Sequence, residues 1–243
     1  VTGVPATNFT SVNFNRATAK GIALFVQAEF ALLPKLHLSF GLRNNREKKE
    51  QEIRAEYMSD GAESELVQAD SSAAASFSSL SPKISLRYEL TSRKQLYATY
   101  NRGFRSGGIS PLASDPSHRP LHVYSPEYSN NFEMGLKGLF FRDQLSFNAA
   151  VFYSMVVDVQ TPVLILPDAI TITSNTGNLK SSGIEFEVSS LIRKNLNLDY
   201  KFGYTHAKIS SGSSEPAIRR PVFSPEFSSW LAIQYGFNIS GLK

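Results

Sequence analysis

The chain has no cysteine among its 243 residues, one tryptophan and three methionines. Disulfide frameworks and thiolate metal centres are thereby excluded. Nor is there an apolar run near the roughly 18 residues that a membrane-crossing helix requires. The nearest, "GIALFVQAEFALL" at 21–33, is interrupted by Gln27 and Glu29. Charged residues make up 19%, below the roughly 25% of ordinary soluble domains. A formal charge of +4 falls short of a nucleic-acid footprint, so no nucleic-acid partner is expected. The opening "VTGVPATNFTSVNFN" lacks the basic flank and apolar centre of a signal peptide. Gly-x-Ser-x-Gly, phosphate-loop and dinucleotide phrases are missing, and no serine has a recognisable base and orienter. No enzymatic activity and no cofactor are expected. The four histidines, His37, His118, His122 and His206, are too scattered for a metal centre. His118 and His122 fall in "SHRPLHVY", a proline-broken stretch that cannot stack them as a helix would, so they read as solvated loop residues.

What the chain has is alternation. In "ISLRYELTSRKQLYATY" (84–100), Ile84, Leu86, Tyr88 and Leu90 share one face, and Ser85, Arg87 and Glu89 the other. The pattern breaks at Thr91–Lys94 and resumes, which marks an antiparallel hairpin. It recurs around Pro34-Lys35, where Leu36, Leu38, Phe40 and Leu42 oppose His37, Ser39, Gly41 and Arg43. Around Phe141–Asp143, Phe132, Met134 and Leu136 lead in, and Leu145, Phe147, Ala149, Val151 and Tyr153 lead out. Around Arg193–Asn195, Ile184, Phe186 and Val188 are followed by Leu196, Leu198, Tyr200, Phe202 and Tyr204. A last strand near 225–237 aligns Phe227, Leu231, Ile233 and Tyr235. About nine strands are predicted, and helix signals are almost absent.

Tight turns near 35, 93, 142 and 194 alternate with long connections at about 46–79, 105–125, 158–170 and 209–221. Short turns on one rim and long loops on the other describe an outer-membrane barrel. Ten alternating residues, at about 3.3 Å each and tilted near 45°, cross roughly 25 Å, the height of a barrel's apolar band. The apolar face is therefore predicted to meet lipid and its partner a polar lumen. Tyr97, Tyr100 and Phe104, Tyr124 and Tyr128, Phe140 and Phe141, and Tyr200–Tyr204 gather near strand ends, as interfacial girdles would place them. "REKKEQEIRAEY" (46–57) is expected to carry a strand pair above the membrane, and "ADSSAAASFSSLS" (69–81) to be a flexible loop descending from it.

Five phrases occur in order: "SPKISLRYELTSRKQLYATY" (81–100), "YATYNRGFRSGG" (97–108), "SPEYSNNFEMGLKGLFFRDQLSFNAAVFY" (125–153), "NTGNLKSSGIEFEV" (175–188) and "LNLDYKFGYTHAKI" (196–209). Together they resemble the barrel of TonB-dependent outer-membrane receptors, from about Gly21 to Phe237. The glycines of "NRGFRSGG" are expected to bend the strand into its loop. Gly177 and Gly183 are expected to mark bulges or bends. The resemblance further implies that inward Gly135 leaves room for a plug.

By this resemblance the fold is all-β: an antiparallel up-and-down transmembrane β-barrel, of which about nine strands are present. The family's full barrels have about 22 strands. Residues 1–243 are thus expected to be an internal section, without the plug domain and the final barrel strands. The implied location is the outer membrane of a Gram-negative bacterium, with its lipid as a partner. The implied role is active uptake of a ferric siderophore, cobalamin or a glycan, energised by TonB through the plug. Cargo contacts are expected from inward positions near the long-loop rim: Asn101, Arg105, Glu127, Ser129, Asn131 and Thr205. Arg105 is the most suggestive, because a guanidinium suits an anionic ferric chelate. Two alternatives stand beside this reading. A complete small barrel, acting as pore or adhesin, needs a finishing strand after Phe237. A soluble β-rich binding module needs Leu36, Phe40, Phe147 and Phe202 packed in a dry core.

Overall fold

A computed structural model describes residues 9–59, 65–111, 121–165, 170–211, 218–222 and 224–237. These residues form strands and turns, with no helix among them. Nine long strands build one antiparallel sheet: β1 (Phe9–Leu33), β2 (Leu36–Ser59), β3 (Glu65–Thr91), β4 (Lys94–Arg105), β7 (Glu127–Phe140), β8 (Leu145–Val157), β11 (Gly177–Arg193), β12 (Leu196–Ser211) and β14 (Phe227–Tyr235). A two-residue strand, β13 (Ile218–Arg219), shares the β12 edge with β14. Two small hairpins interrupt the series: β5 (Gly108–Pro111) with β6 (Leu121–Tyr124), and β9 (Gln160–Ile165) with β10 (Ile170–Asn175). Each long strand pairs with its sequence neighbours among the long strands, so the sheet is an up-and-down meander. Among the described residues β1 and β14 are the outer strands and do not pair with each other.

The four tight turns fall at Pro34-Lys35, Ser92-Arg93, Phe141–Gln144 and Lys194-Asn195, all at one end. Phe141, Arg142 and Asp143 run consecutively at φ 52°, 57° and 70°. That left-handed excursion closes the β7–β8 hairpin at some steric cost, since none of the three is glycine. Arg93 ties two of these turns together through Asp143 at 2.5 Å.

The register assigns the faces. Ser85 lies opposite Ser39 and Thr99, and Asn131 opposite Asn101 and Ser154. Glu187 lies between Asn148 and Lys201. The other face carries Ile84, Leu86, Tyr100, Phe132, Met134, Val151, Ile184 and Leu231. On the polar face, Arg87 of β3 reaches past β2 to Glu29 of β1 at 3.1 Å. Such contact between strands two apart places the polar side on the concave surface.

Among the described residues nothing covers the apolar face. Ile22, Leu24 and Ile233 are 65%, 70% and 64% exposed. The buried hydrophobics among the described residues are four: Ile53, Val159, Ile172 and Ala207. A soluble sheet would hide such a face under a second layer. Here Phe40 is 39% exposed, and no second layer among the described residues supplies the dry core that the soluble alternative required. The apolar side chains instead gain lateral contact along the sheet, as in the stacked Phe186–Phe202 pair at 5.1 Å and the tilted Tyr100–Phe132 pair at 5.0 Å. Phe140–Phe147 at the turn end and Tyr204–Phe227 at the loop end fit girdles. Tyr97 does not, because it stands on the polar face with its hydroxyl donating to Glu133 at 2.6 Å.

Several local expectations are corrected. Residues 69–81 form no loop: Ser71–Ser81 pair with β2 from Ile53 to Arg43. Small serine and alanine side chains offer little alternation to read, yet they let β3 lie flush beside charged β2. The β1–β2–β3 ribbon thus outruns its apolar band, which on β2 ends at Asn44. The roughly 15 residues beyond it rise on the order of 35 Å. Nor does Gly183 mark a bulge, since the β11–β12 register runs unbroken from Gly177 to Leu191. A Cβ there would meet the Phe152 ring at 2.6 Å, and one at Gly135 the Tyr97 ring at 2.8 Å. The space beside Gly135 is therefore filled by the neighbouring strand's own aromatic ring. Gly103, Gly107 and Gly108 have no positive φ; a Cβ at each would meet Ser129, Phe77 or Tyr124.

Candidate functional site

At the long-loop end of the concave face, β4, β7 and β8 bring three of the expected residues together. Asn131 donates through Nδ2 to Asn101 Oδ1 at 3.0 Å and to Ser129 Oγ at 3.1 Å, and its Oδ1 accepts from Ser154 Oγ at 2.6 Å. Both ends of the amide are engaged, so this cluster is a pre-ordered polar shelf. Ser154 was not among the expected residues, although its parity on β8 matched theirs.

One register step up, Arg105 faces Glu127. Their separation is 4.0 Å, and the Arg105 side chain remains 66% exposed. Glu127 has other work: its Oε2 accepts from the Gln160 backbone N–H at 2.7 Å. It therefore anchors the chain leading into β9 and leaves the guanidinium free to face solvent. Thr205 stands apart on β12, and its backbone N–H donates to Glu226 at 2.8 Å. Parity had put Thr205 on the correct face, but β11 separates its strand from the shelf.

Sequence reading missed a second network, which pins the small hairpins over the rim. Lys49 Nζ donates to Ser106 Oγ at 2.5 Å and to the Gly107 carbonyl at 2.8 Å. Gln160, 8% exposed, donates to the carbonyls of Ser106 and Ser125, both at 3.0 Å. Asn175 bonds Ser125 and the Asp158 carbonyl, and Ser110 Oγ accepts from the Thr173 N–H at 3.0 Å. Because Lys49 and Phe77 belong to the concave face, hairpin β5–β6 folds inward from the rim. Burial concentrates here: Gln51, Ser79, Ser110, Gln160, Ile53, Val159 and Ile172. Only Gly107-Gly108, where close approach was needed, hinted at it in the sequence.

Toward the turns the concave face carries paired charges. His37 lies between Glu29 and Glu89 at 3.8 and 3.3 Å, Arg87 bonds both acids, and Lys201 bonds Glu187 at 2.9 Å. No cluster of three or more metal-ligating side chains occurs among the described residues.

Residues 2–239 match the family described as TonB dependent receptor-like, beta-barrel. The chain belongs to this TonB-dependent receptor barrel family. Solved structures agree on the fold. The ferric yersiniabactin uptake receptor FyuA from Yersinia pestis superposes with TM-score 0.78 at 16% identity, covering 95% of this chain and 33% of that one. The siderophore receptor PiuA from Acinetobacter baumannii gives 0.63 at 20% identity, covering 90% and 31%. The copper transporter OprC gives 0.59 at 18% identity, covering 80% and 30%. The chain spans about a third of the length of these structures. Members of the family are outer-membrane proteins, which accounts for an apolar face left open. In a TonB-dependent receptor barrel the concave face is the lumen, so the Asn131 shelf, Arg105 and the inward hairpins line its outer mouth.

Proposed function

We propose that this chain supplies wall and mouth to an outer-membrane receptor for active uptake of a scarce nutrient, a ferric siderophore. The observation that carries the reading is Arg105: an exposed guanidinium at the lumenal mouth, beside ordered amide and hydroxyl groups, whose ion pair with Glu127 is a long 4.0 Å because that carboxylate also holds the Gln160 N–H. A delocalised cation next to neutral donors suits a polyoxygenated anionic chelate. One structural neighbour is named a ferric yersiniabactin uptake receptor, another a siderophore receptor and a third a copper transporter, so the cargo assignment rests on the mouth's chemistry. Energy reaches such a receptor through a plug and the TonB protein, and we include both in the proposal.

The test uses the full-length gene product in cells lacking other iron receptors. Growth on an anionic ferric siderophore as sole iron source is expected, and Arg105→Ala should weaken siderophore binding about tenfold while leaving barrel assembly unchanged. Growth that never depends on the gene under iron limitation, with any ferric chelate offered, refutes the assignment.

A further inference from the structure

We propose that Lys20, Arg46 and Lys48 form an outward-facing site for the phosphate of a lipid headgroup, at the loop-side border of the apolar band. The proposal rests on the outer-membrane reading and goes beyond it by assigning residues and a ligand chemistry. Lys20 and Lys48 lie directly opposite each other in the β1–β2 register, and Arg46 is opposite Ile22 one outward row lower. Like charges facing each other across a strand pair repel, because their Cβ atoms are only about 5 Å apart. Compensation inside the protein is slight. Glu50 bonds Lys48 at 2.6 Å, but no hydrogen bond or ion pair joins Lys20 or Arg46 to an acid among the described residues. Glu50 itself is held below the usual carboxylate range, first by its hydrogen bond to Lys48, then by that residue's charge and more weakly by Lys20.

Position distinguishes these cations from ordinary surface charge. Below them on the same face come Leu24, Val26, Leu42 and Leu80, the upper edge of the lipid-facing band. Above them on β2 the signs mix, as Glu50, Glu52, Arg54 and Glu56. The first outward charges beyond the band are thus all cationic, at the depth where headgroup phosphates lie. On β3, Ser76 stands opposite Lys48 and Ser78 opposite Arg46, adding hydroxyl donors. Together these side chains border a cleft of about 480 Å³, which has room for a phosphate with its sugar or glycerol. The same device recurs across the wall, where exposed Lys180 and Lys208 face each other on the same side of β11 and β12 at the loop end. Two like-charged cross-strand pairs at one membrane border call for a shared anion outside the protein. The adjoining apolar edge selects a lipid over free phosphate, since only a lipid covers both surfaces.

The full-length gene product is placed in phosphatidylcholine nanodiscs containing fluorescent diphosphoryl lipid A, with dephosphorylated lipid A and inorganic phosphate as the other arms. A cation at an anionic surface contributes about fivefold in affinity. With Lys48 shared by Glu50, Lys20→Gln/Arg46→Gln/Lys48→Gln should lose at least about tenfold for diphosphoryl lipid A. The wild type should bind the dephosphorylated lipid as weakly as the triple variant does, and Glu50→Gln should bind the diphosphoryl lipid more tightly. Heat-dependent gel mobility confirms that each variant is a folded barrel. Equal binding of diphosphoryl lipid A by wild type and triple variant overturns the site. Displacement of the lipid by millimolar inorganic phosphate overturns the lipid assignment in favour of a free anion. Failure of every form, wild type included, to enter nanodiscs refutes the outer-membrane reading itself, a result separable from the other two.

Discussion

Replacing Ala149 by arginine should cost about 3 kcal/mol of folding free energy, and replacing Asn148 by arginine almost nothing. The two residues are adjacent on β8 but point to opposite faces: Ala149 stands opposite Leu136 and Phe186, Asn148 opposite Lys137 and Glu187. Outward positions on β8 run from Leu145 to Val157, and Ala149 lies near the middle of the band that begins at Leu145. An arginine on the lipid face of a barrel costs about 2–4 kcal/mol at the midplane and about 0–1 near the interfaces. Ala149 suits the test because replacing a methyl-sized side chain removes little packing, so the measured cost is that of the charge in hydrocarbon. The profile for Leu145→Arg, Ala149→Arg and Val157→Arg should therefore peak in the middle, where the folded population falls on the order of a hundredfold. Asn148→Arg enters a polar lumen already holding Glu187 and should stay within about 0.5 kcal/mol. The assay is reversible urea unfolding of the full-length product in lipid vesicles, followed by Trp230 fluorescence. A flat profile along β8, or equal costs at 148 and 149, refutes the assignment of faces.

Other perturbations probe the mouth and the turns. Asn131→Ala removes three hydrogen bonds and should destabilise the barrel by about 2–3 kcal/mol in the same unfolding assay, whereas Thr205→Ala should cost less than about 0.5. Gly135→Ala forces a Cβ against the Tyr97 ring and the Ala149 carbonyl; a loss of about 1–3 kcal/mol is expected, and adding Tyr97→Ala should recover part of it. Arg142→Gly relieves one left-handed residue and should raise stability by about 1 kcal/mol, read as a shift of the urea midpoint. Lys49→Met with Gln160→Ala should release the rim hairpins, seen as faster hydrogen exchange over 106–111 and 121–125 while exchange in β7 and β8 stays unchanged.

The wall was legible because its chemistry alternates. From Leu36 to Leu42 and from Leu196 to Tyr204, every second side chain is apolar, and one period-two pattern fixed strand, face and turn together. The rim was opaque for the opposite reason. Residues 71–79 are nearly all serine and alanine, so neither face contrasts with the other, and pairing there follows from main-chain bonding to β2. The small hairpins are too short, at four to six residues a strand, to show a period. Lys49 and Gln160 both reach Ser106, more than fifty residues from either, a proximity that exists only once the sheet has curved. Thr205 shows the same limit: parity gives the face of a strand, but not its distance around the wall.

The tall ribbon formed by β1, β2 and β3 has a consequence for how this protein meets the outside world. Its shape is set by rungs between peptide groups, which every residue type except proline can contribute. The coat of serines, lysines and glutamates projecting from it can consequently be exchanged wholesale without altering the outline. An antibody raised against that projection would read an interchangeable skin on a fixed frame, and the frame would outlast each change of skin.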